Sequence, residues 1–424
     1  MSTAAAAADL DRRAAEIITG NDRGGYTVPT AGLYPFQWNW DSCLVALGIA
    51  RLDESRAFRE IETLFSAQWP DGMVPHIVFH RPDPGYFPGP ERWGTGRSPP
   101  TSGITQPPVA ASCLWRLVEG AADQVAAEAR ARALLPKVLA WHRWFHTARD
   151  PGSTGLVTTL HPWETGMDNS PAWDEALARV EVAGDLEPYV RKDTTHVDPA
   201  MRPTQAEYDR YMTLVQFYRA HGWRHEITGL SPFRVADVAT NCILLRANRD
   251  LLALAERCDE PEAAGEIRGW IARSEPAFGR LVDPATGLWH SYDQAAGARV
   301  SAATHAGFLA FWAGLGDERL TGLLEAWRGT ARFGVPSVRA TDPRFDSKRY
   351  WRGPIWLVVN YLLAKGLREA GFGELAARIA WDSRELVETA GFYEYFDPLD
   401  GKGLGGPNFT WTAAMWLAWA REAG

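Results

Sequence analysis

The chain has 424 residues, 46% of them hydrophobic, enough to bury a sizeable core, and it carries a formal net charge of −8. An acidic surface lacks the cationic footprint that nucleic acid demands, so polynucleotide partners are excluded. No run of ~18 apolar residues spans a bilayer, no basic stretch leads into an apolar one at the start as in a secretory signal, and four cysteines (Cys43, Cys113, Cys242, Cys258) are scattered without metal-binding or disulfide spacing. A cytoplasmic protein with reduced, buried thiols is expected, and a homo-oligomer is left open.

In chain order, the segment from Met1 to Arg13 reads as the start of a helix. Apolar residues then recur at three- and four-residue spacing over Asp41 to Ala57, Val109 to Gly120, Ala121 to Ala148, Gln205 to His221, Val235 to Arg257, Glu260 to Phe278, Ser301 to Leu315, Leu320 to Arg332, Trp356 to Ala370, Glu374 to Thr389 and Thr410 to Ala423. That spacing predicts amphipathic helices. The best strand candidate is Met73 to Phe79. Between helices, short links such as Gly316-Asp317 alternate with four long stretches rich in Pro, Gly and aromatics, at 22–38, 70–106, 149–204 and 391–409. Long structureless connections in a compact fold usually carry function. About a dozen helices with short turns at one end and long loops at the other suit an all-α (α/α)6 barrel, a toroid of helix pairs. No polar linker divides the chain, so residues 1–424 are read as one domain in which the loops at about 70–106 and 149–204 cap the site.

The 20 tryptophans fall into two groups. Trp115, Trp141, Trp144, Trp270, Trp312, Trp416 and Trp419 lie on helical faces and read as core. Trp38, Trp40, Trp93, Trp163, Trp173, Trp351, Trp356 and Trp411 lie in or beside the long loops, where a flat apolar ring can either wedge the structure or stack on the C–H face of a sugar. Of the carboxylates, Asp41, Glu164, Asp168, Asp174, Glu394 and Asp397 sit among aromatics. Burial there raises a carboxyl pKa and keeps an acid protonated at neutral pH, while a second carboxylate left ionised activates water. That division of labour cleaves a glycosidic bond. Asp168 reads equally as a helix start, since Ser170 can cap and Pro171 can take the first helical position. His76 and His80, His142 and His146, and His221 and His225 are paired at four-residue spacing, yet none has the His-Glu-x-x-His pattern of a zinc site. No metal or cofactor is expected.

Four motifs, Tyr34-Pro-Phe-Gln-Trp38-Asn-Trp40-Asp41, Glu164-Thr-Gly-Met-Asp168-Asn-Ser-Pro-Ala-Trp173, Arg349-Tyr350-Trp351-Arg352-Gly-Pro-Ile-Trp356 and Phe392-Tyr-Glu394-Tyr-Phe-Asp397-Pro, resemble those of glycoside hydrolase family 63. The likeness is greatest to its compact bacterial mannosylglycerate and glucosylglycerate hydrolases and spans the chain in order. The resemblance implies an (α/α)6 barrel and an inverting α-glycosidase acting on a small glycoside. Asp168 would be the general acid and Glu394 the general base. Tyr34, Trp38, Trp40 and Asp41 would line the glycosyl subsite, with Asp41 accepting from sugar hydroxyls, and Gln106, Trp163, Tyr350, Trp351 and Trp356 would complete its wall. The aglycone would be the glycerate anion, for which Arg202, Tyr208 and Tyr86 are the implied contacts. Gly406-Pro-Asn408-Phe409-Thr-Trp411 departs from the family pattern, so Asn408 and Phe409 receive no role. Glu164, Asp174 and Asp397 are left as supporting or capping groups. The rivals are a trehalase or oligosaccharide α-glucosidase of the same fold, and a sugar epimerase, which would use His76, His161 or His290.

Overall fold

The computed structural model of the protein describes residues 3–195 and 197–423. Five helices, Asn39–Ile49, Ala110–Gly120, Val238–Arg257, Leu357–Glu369 and Thr410–Ala418, and the 3-10 segment His305–Ala310 each pack on the next in chain order, and the last closes on the first. Sequence explains why these form the inner ring. Asn39–Ile49 is buried at every position, and His305–Ala310 is buried throughout as well. Segments apolar on all sides have no face to give to water and must be enclosed. Gly48 lets two inner helices meet, because a Cβ there would overlap Ala414.

The outer helices are Thr3–Asn21, Glu54–Ser66, Gln124–Ala148, Pro261–Ala277, Glu318–Arg328 and Gly373–Ala390, alternating with the inner ones along the chain. Glu54–Ser66 shows the outer pattern. It buries Phe58, Ile61, Leu64 and Phe65 along one stripe, and Asp53 caps it by accepting from the Arg56 N–H at 2.9 Å. This is the expected all-α (α/α)6 barrel, with six pairs among the described residues.

Every inner-to-outer link is short, at 50–53, 121–123, 258–260, 311–317 and 370–372, whereas every outer-to-inner link is long, at 22–38, 67–109, 149–237, 278–304, 329–356 and 391–409. All long links therefore leave one end of the barrel, the end where the inner helices begin. Three sequence expectations change. The single helix from Asp41 to Ala57 is two, parted where Asp53 caps the second. Six long connections replace four: the sequence reading left out 278–304, which carries no such motif, and 329–356, although the Arg349 to Trp356 motif lies in it. The helix over Ser301 to Leu315 is a 3-10 segment, His305–Ala310, followed by turns; over so few residues the two periods look alike. The expected strand near Met73 to Phe79 is the pair Ile77–Val78, antiparallel to Gln37–Trp38, with Trp38 opposite Ile77. Gln205–Ala220 lies outside the ring, in the longest connection. Among the described residues no helix is long and apolar enough to cross a membrane.

Candidate active site

The long links enclose one cavity at the mouth of the barrel. Thirteen of the fourteen site residues expected from sequence line it: Asp168, Glu394, Tyr34, Trp38, Trp40, Asp41, Tyr86, Gln106, Trp163, Arg202, Tyr208, Tyr350 and Trp351. Trp356 is the exception. It is wholly buried and stacks flat behind Trp351, with ring centroids 3.7 Å apart and planes 1° from parallel, so it stiffens the wall without facing the cavity. The motif could not tell the facing ring from the backing one.

Asp168 lies on a turn between two short 3-10 segments, Pro162–Thr165 and Pro171–Trp173. Ser170 caps the second, accepting from the Ala172 N–H at 3.3 Å, and Pro171 leads it, so the helix-start reading holds for Ser170 and Pro171 while Asp168 itself projects into the cavity. The turn's backbone is pinned on both sides. Trp173 Nε1 donates to the Met167 carbonyl at 2.7 Å, Tyr211 Oη to the Asp168 carbonyl at 2.8 Å, and the Trp351 N–H to Asn169 Oδ1 at 3.1 Å. Glu164, paired with buried Arg149 and accepting from the Leu160 N–H at 2.7 Å, anchors the loop behind it. Asp174 is ion-paired with Arg352, and Asp397 accepts from Ser347 Oγ at 2.9 Å, so both act as supports.

Among the described residues none donates a side-chain or backbone hydrogen bond from elsewhere in the chain to the Asp168 carboxyl. Burial pushes it up to about 7; Arg202 opposes the rise and Glu394 adds to it. Asp41, in the first turn of its inner helix, is pushed up to about 8, by burial first and then by Glu394 and Asp168. Its neutral form is therefore favoured near neutral pH, and a neutral carboxyl has an O–H donor as well as an acceptor, where the sequence reading expected acceptance alone.

Glu394 is held differently. Strand Tyr393–Phe396 pairs with Gly403–Pro407, but Tyr393 faces Pro407 while Tyr395 faces Leu404, so Gly405 and Gly406 together oppose Glu394. Such a bulge turns a side chain out of the ladder. Gly405, at φ +71°, is the only residue type that fits, since a Cβ would run into Glu394 Oε2. The carboxylate then accepts from Tyr34 Oη at 3.0 Å, from the Gly406 N–H at 3.2 Å and from Arg202 Nη2 at 3.3 Å. Burial raises its pKa, while Arg202, Gly406 and the Tyr34 and Tyr350 hydroxyls pull it back. Trp411 Nε1 fixes the strand by donating to the Glu394 carbonyl at 3.0 Å.

The cavity also holds Phe409 and Lys192, to which the sequence reading gave no role, and His76 and Trp411, which it named only as an epimerase histidine and a loop tryptophan. Phe409 packs edge-on to Tyr34 at 5.9 Å, and no signal in its irregular motif marked it. His76 stacks on Trp163, 6.2 Å between centroids, and shares a hydrogen bond with Ser102 at 3.1 Å. Trp93 and Trp173, candidates for stacking, are buried away from the cavity. Of the three epimerase histidines only His76 reaches the cavity. His161 is fully buried, its pKa pushed down by burial to about 3, and one ring nitrogen donates to the Tyr211 carbonyl; His290 lies in a groove elsewhere. Asn248 bridges His142 and His146, the His225 side chain lies outside the described residues, and among those described no three metal-ligating groups converge.

A barrel of helix pairs that buries separately treated carboxyl groups in an aromatic-walled cavity at its loop end defines a glycoside hydrolase. The profile of the mannosylglycerate hydrolase MGH1-like glycoside hydrolase domain matches residues 34–412, and the chain belongs to that family. It is 55% identical over 410 residues to mannosylglycerate hydrolase MGH1 of Selaginella moellendorffii, covering 95% of this chain and 84% of the relative. It is 36% identical to a glucosylglycerate hydrolase of Mycolicibacterium hassiacum, covering 97% of each. The crystal structure of the family 63 mannosylglycerate hydrolase of Thermus thermophilus with Tris and D-glycerate superposes with a TM-score of 0.93 at 49% identity, covering 96% of this chain and 99% of that one.

Proposed function

We propose that this chain hydrolyses mannosylglycerate, glucosylglycerate or both to the free hexose and glycerate by single displacement with inversion. Asp168 protonates the glycosidic oxygen as general acid. Glu394, the general base, deprotonates a water that attacks the anomeric carbon from the opposite face. The observation that carries this reading is the unequal treatment of two carboxyl groups in one cavity, half-buried Asp168 and buried Glu394. Burial raises both, but Asp168 goes up to about 7 with no donor from another described residue, whereas donors on three residues oppose the rise at Glu394 and favour its charged form. Environments that push two carboxyls apart assign the acid and the base.

Trp40, Trp163 and Trp351 give the hexose flat apolar faces, and Asp41 and Gln106 give it polar edges. Arg202, Tyr208 and Tyr86 receive the aglycone's carboxylate, for which a planar guanidinium is the best-matched partner. The relatives named for mannosylglycerate and glucosylglycerate, and the D-glycerate bound in the Thermus structure, support that aglycone. The whole chain serves as one catalytic domain under its loop cap. Hydrolysis of mannosylglycerate and glucosylglycerate measured beside trehalose and maltose tests the reading. The glycerates should turn over and the neutral disaccharides should not; the reverse pattern would move the enzyme to the trehalase or α-glucosidase alternative.

A further inference from the structure

Arg202 is buried, 3% exposed, and is packed between the rings of Tyr350 and Tyr34, its guanidinium carbon 4.6 and 5.6 Å from their centroids. Of its five N–H donors, one on Nη1 goes to Tyr34 Oη at 2.6 Å and one on Nη2 to Glu394 Oε2 at 3.3 Å. Its Nε–H is buried and has no partner. Each Nη carries a second hydrogen beyond these two bonds. Arg202 lines the same cavity as Asp168 and Tyr208, where an aglycone would lie.

We propose that Arg202 is shared between the base Glu394 and the carboxylate of the aglycone, so that an anionic aglycone, on pairing with the same guanidinium, slackens the ion pair on the base. The inference rests on the glycerate reading above and adds a consequence to it. The groups facing Glu394 are Arg202, Tyr34 and Tyr350, the carboxyls of Asp41 and Asp168, and Tyr395. Of these only Arg202 carries positive charge. In the free enzyme it opposes the rise that burial gives the Glu394 pKa. A second carboxylate draws on the same cation, and Glu394 becomes a stronger base at the moment a correct substrate is in place. Selection for a charged aglycone then appears in kcat as well as in KM, which simple binding to an arginine would not give.

The test uses an α-glycosyl fluoride, whose leaving group needs no proton and which has no carboxylate, so the acid limb of its pH–rate profile reports the base alone. In Arg202→Ala that limb should move up by about one pH unit or more, the size expected when a carboxylate loses a neighbouring cation. Arg202→Lys, which keeps the charge, should stay near the native limb and guards against an effect of lost packing. Saturating D-glycerate should raise the limb of the native enzyme and leave that of Arg202→Ala in place. A limb moved neither by Arg202→Ala nor by glycerate would overturn the proposal. Failure of the glycerate reading is separate, since it would show as mannosylglycerate and glucosylglycerate left intact by an enzyme that still hydrolyses the fluoride.

Discussion

Two long connections each bring a carboxyl group to the cavity and restrain it by opposite means. On the Asp168 side the protein pins the backbone, through Trp173, Tyr211 and the Asn169–Trp351 hydrogen bond, and leaves the carboxyl itself without a donor from any other residue. On the Glu394 side it pins the carboxylate itself, with a hydroxyl, a backbone N–H and a guanidinium. Burial alone would raise both groups; the count and charge of the donors separate them. Under the proposed roles, one barrel end would thus supply an acid and a base from chemically similar residues.

The largest expected effect comes from removing either group. Asp168→Ala and Glu394→Ala should each lower turnover of the glycoside by about 10³-fold or more, with the circular dichroism spectrum unchanged. The two sides should part on an α-glycosyl fluoride. Asp168→Ala should recover activity there because no proton need be delivered, and Glu394→Ala should not. Equal behaviour of the two variants would erase the distinction between acid and base.

Next in size is Gly405→Ala, which places a Cβ against Glu394 Oε2 and strains a left-handed backbone. A displaced base should cost about 10²-fold in kcat with a smaller change in KM. Undiminished kcat would mean the bulge does not set the base. The pH profile should report the Asp168 side. Activity requires Asp168 protonated, so kcat/KM should fall tenfold per unit as pH rises above about 7. A plateau extending well above pH 8 would show that the acid is not held as described.

The smallest effect is on stability. Asp168 has a folded pKa raised above its unfolded value, so the folded state binds its proton more tightly. That advantage is fully present below the unfolded pKa and is lost as pH rises to about 7. Asp168→Asn should therefore raise the melting temperature above pH 7, by on the order of 1 kcal/mol or more of stability, and should leave it nearly unchanged near pH 4. No gain at high pH would mean the carboxyl is not desolvated.

Much of this was legible in the sequence. The helices announce themselves by apolar residues at three- and four-residue spacing, and the aromatic motifs beside Gly and Pro mark the loops that meet at the mouth. The break at Asp53 was hidden because apolar spacing runs on from Asn39–Ile49 into Glu54–Ser66, and only the cap separates them. Motif position showed that Trp351 and Trp356 belong to one wall, but not which ring faces inward, since that follows from a stack between residues five apart. The raised pKa of Asp41 and the hold of Arg202 on Glu394 depend on groups from distant parts of the chain meeting in one desolvated space, and nothing local in the sequence records such a meeting.

The central claim, a protonated Asp168 opposite an ionised Glu394 with water between them, is tested most directly by proton NMR of the first hexose released from an α-linked glycerate glycoside. Early appearance of the β-anomer, followed by slow mutarotation, is the expected result. Early α-anomer would contradict single displacement and the roles given to both carboxyls.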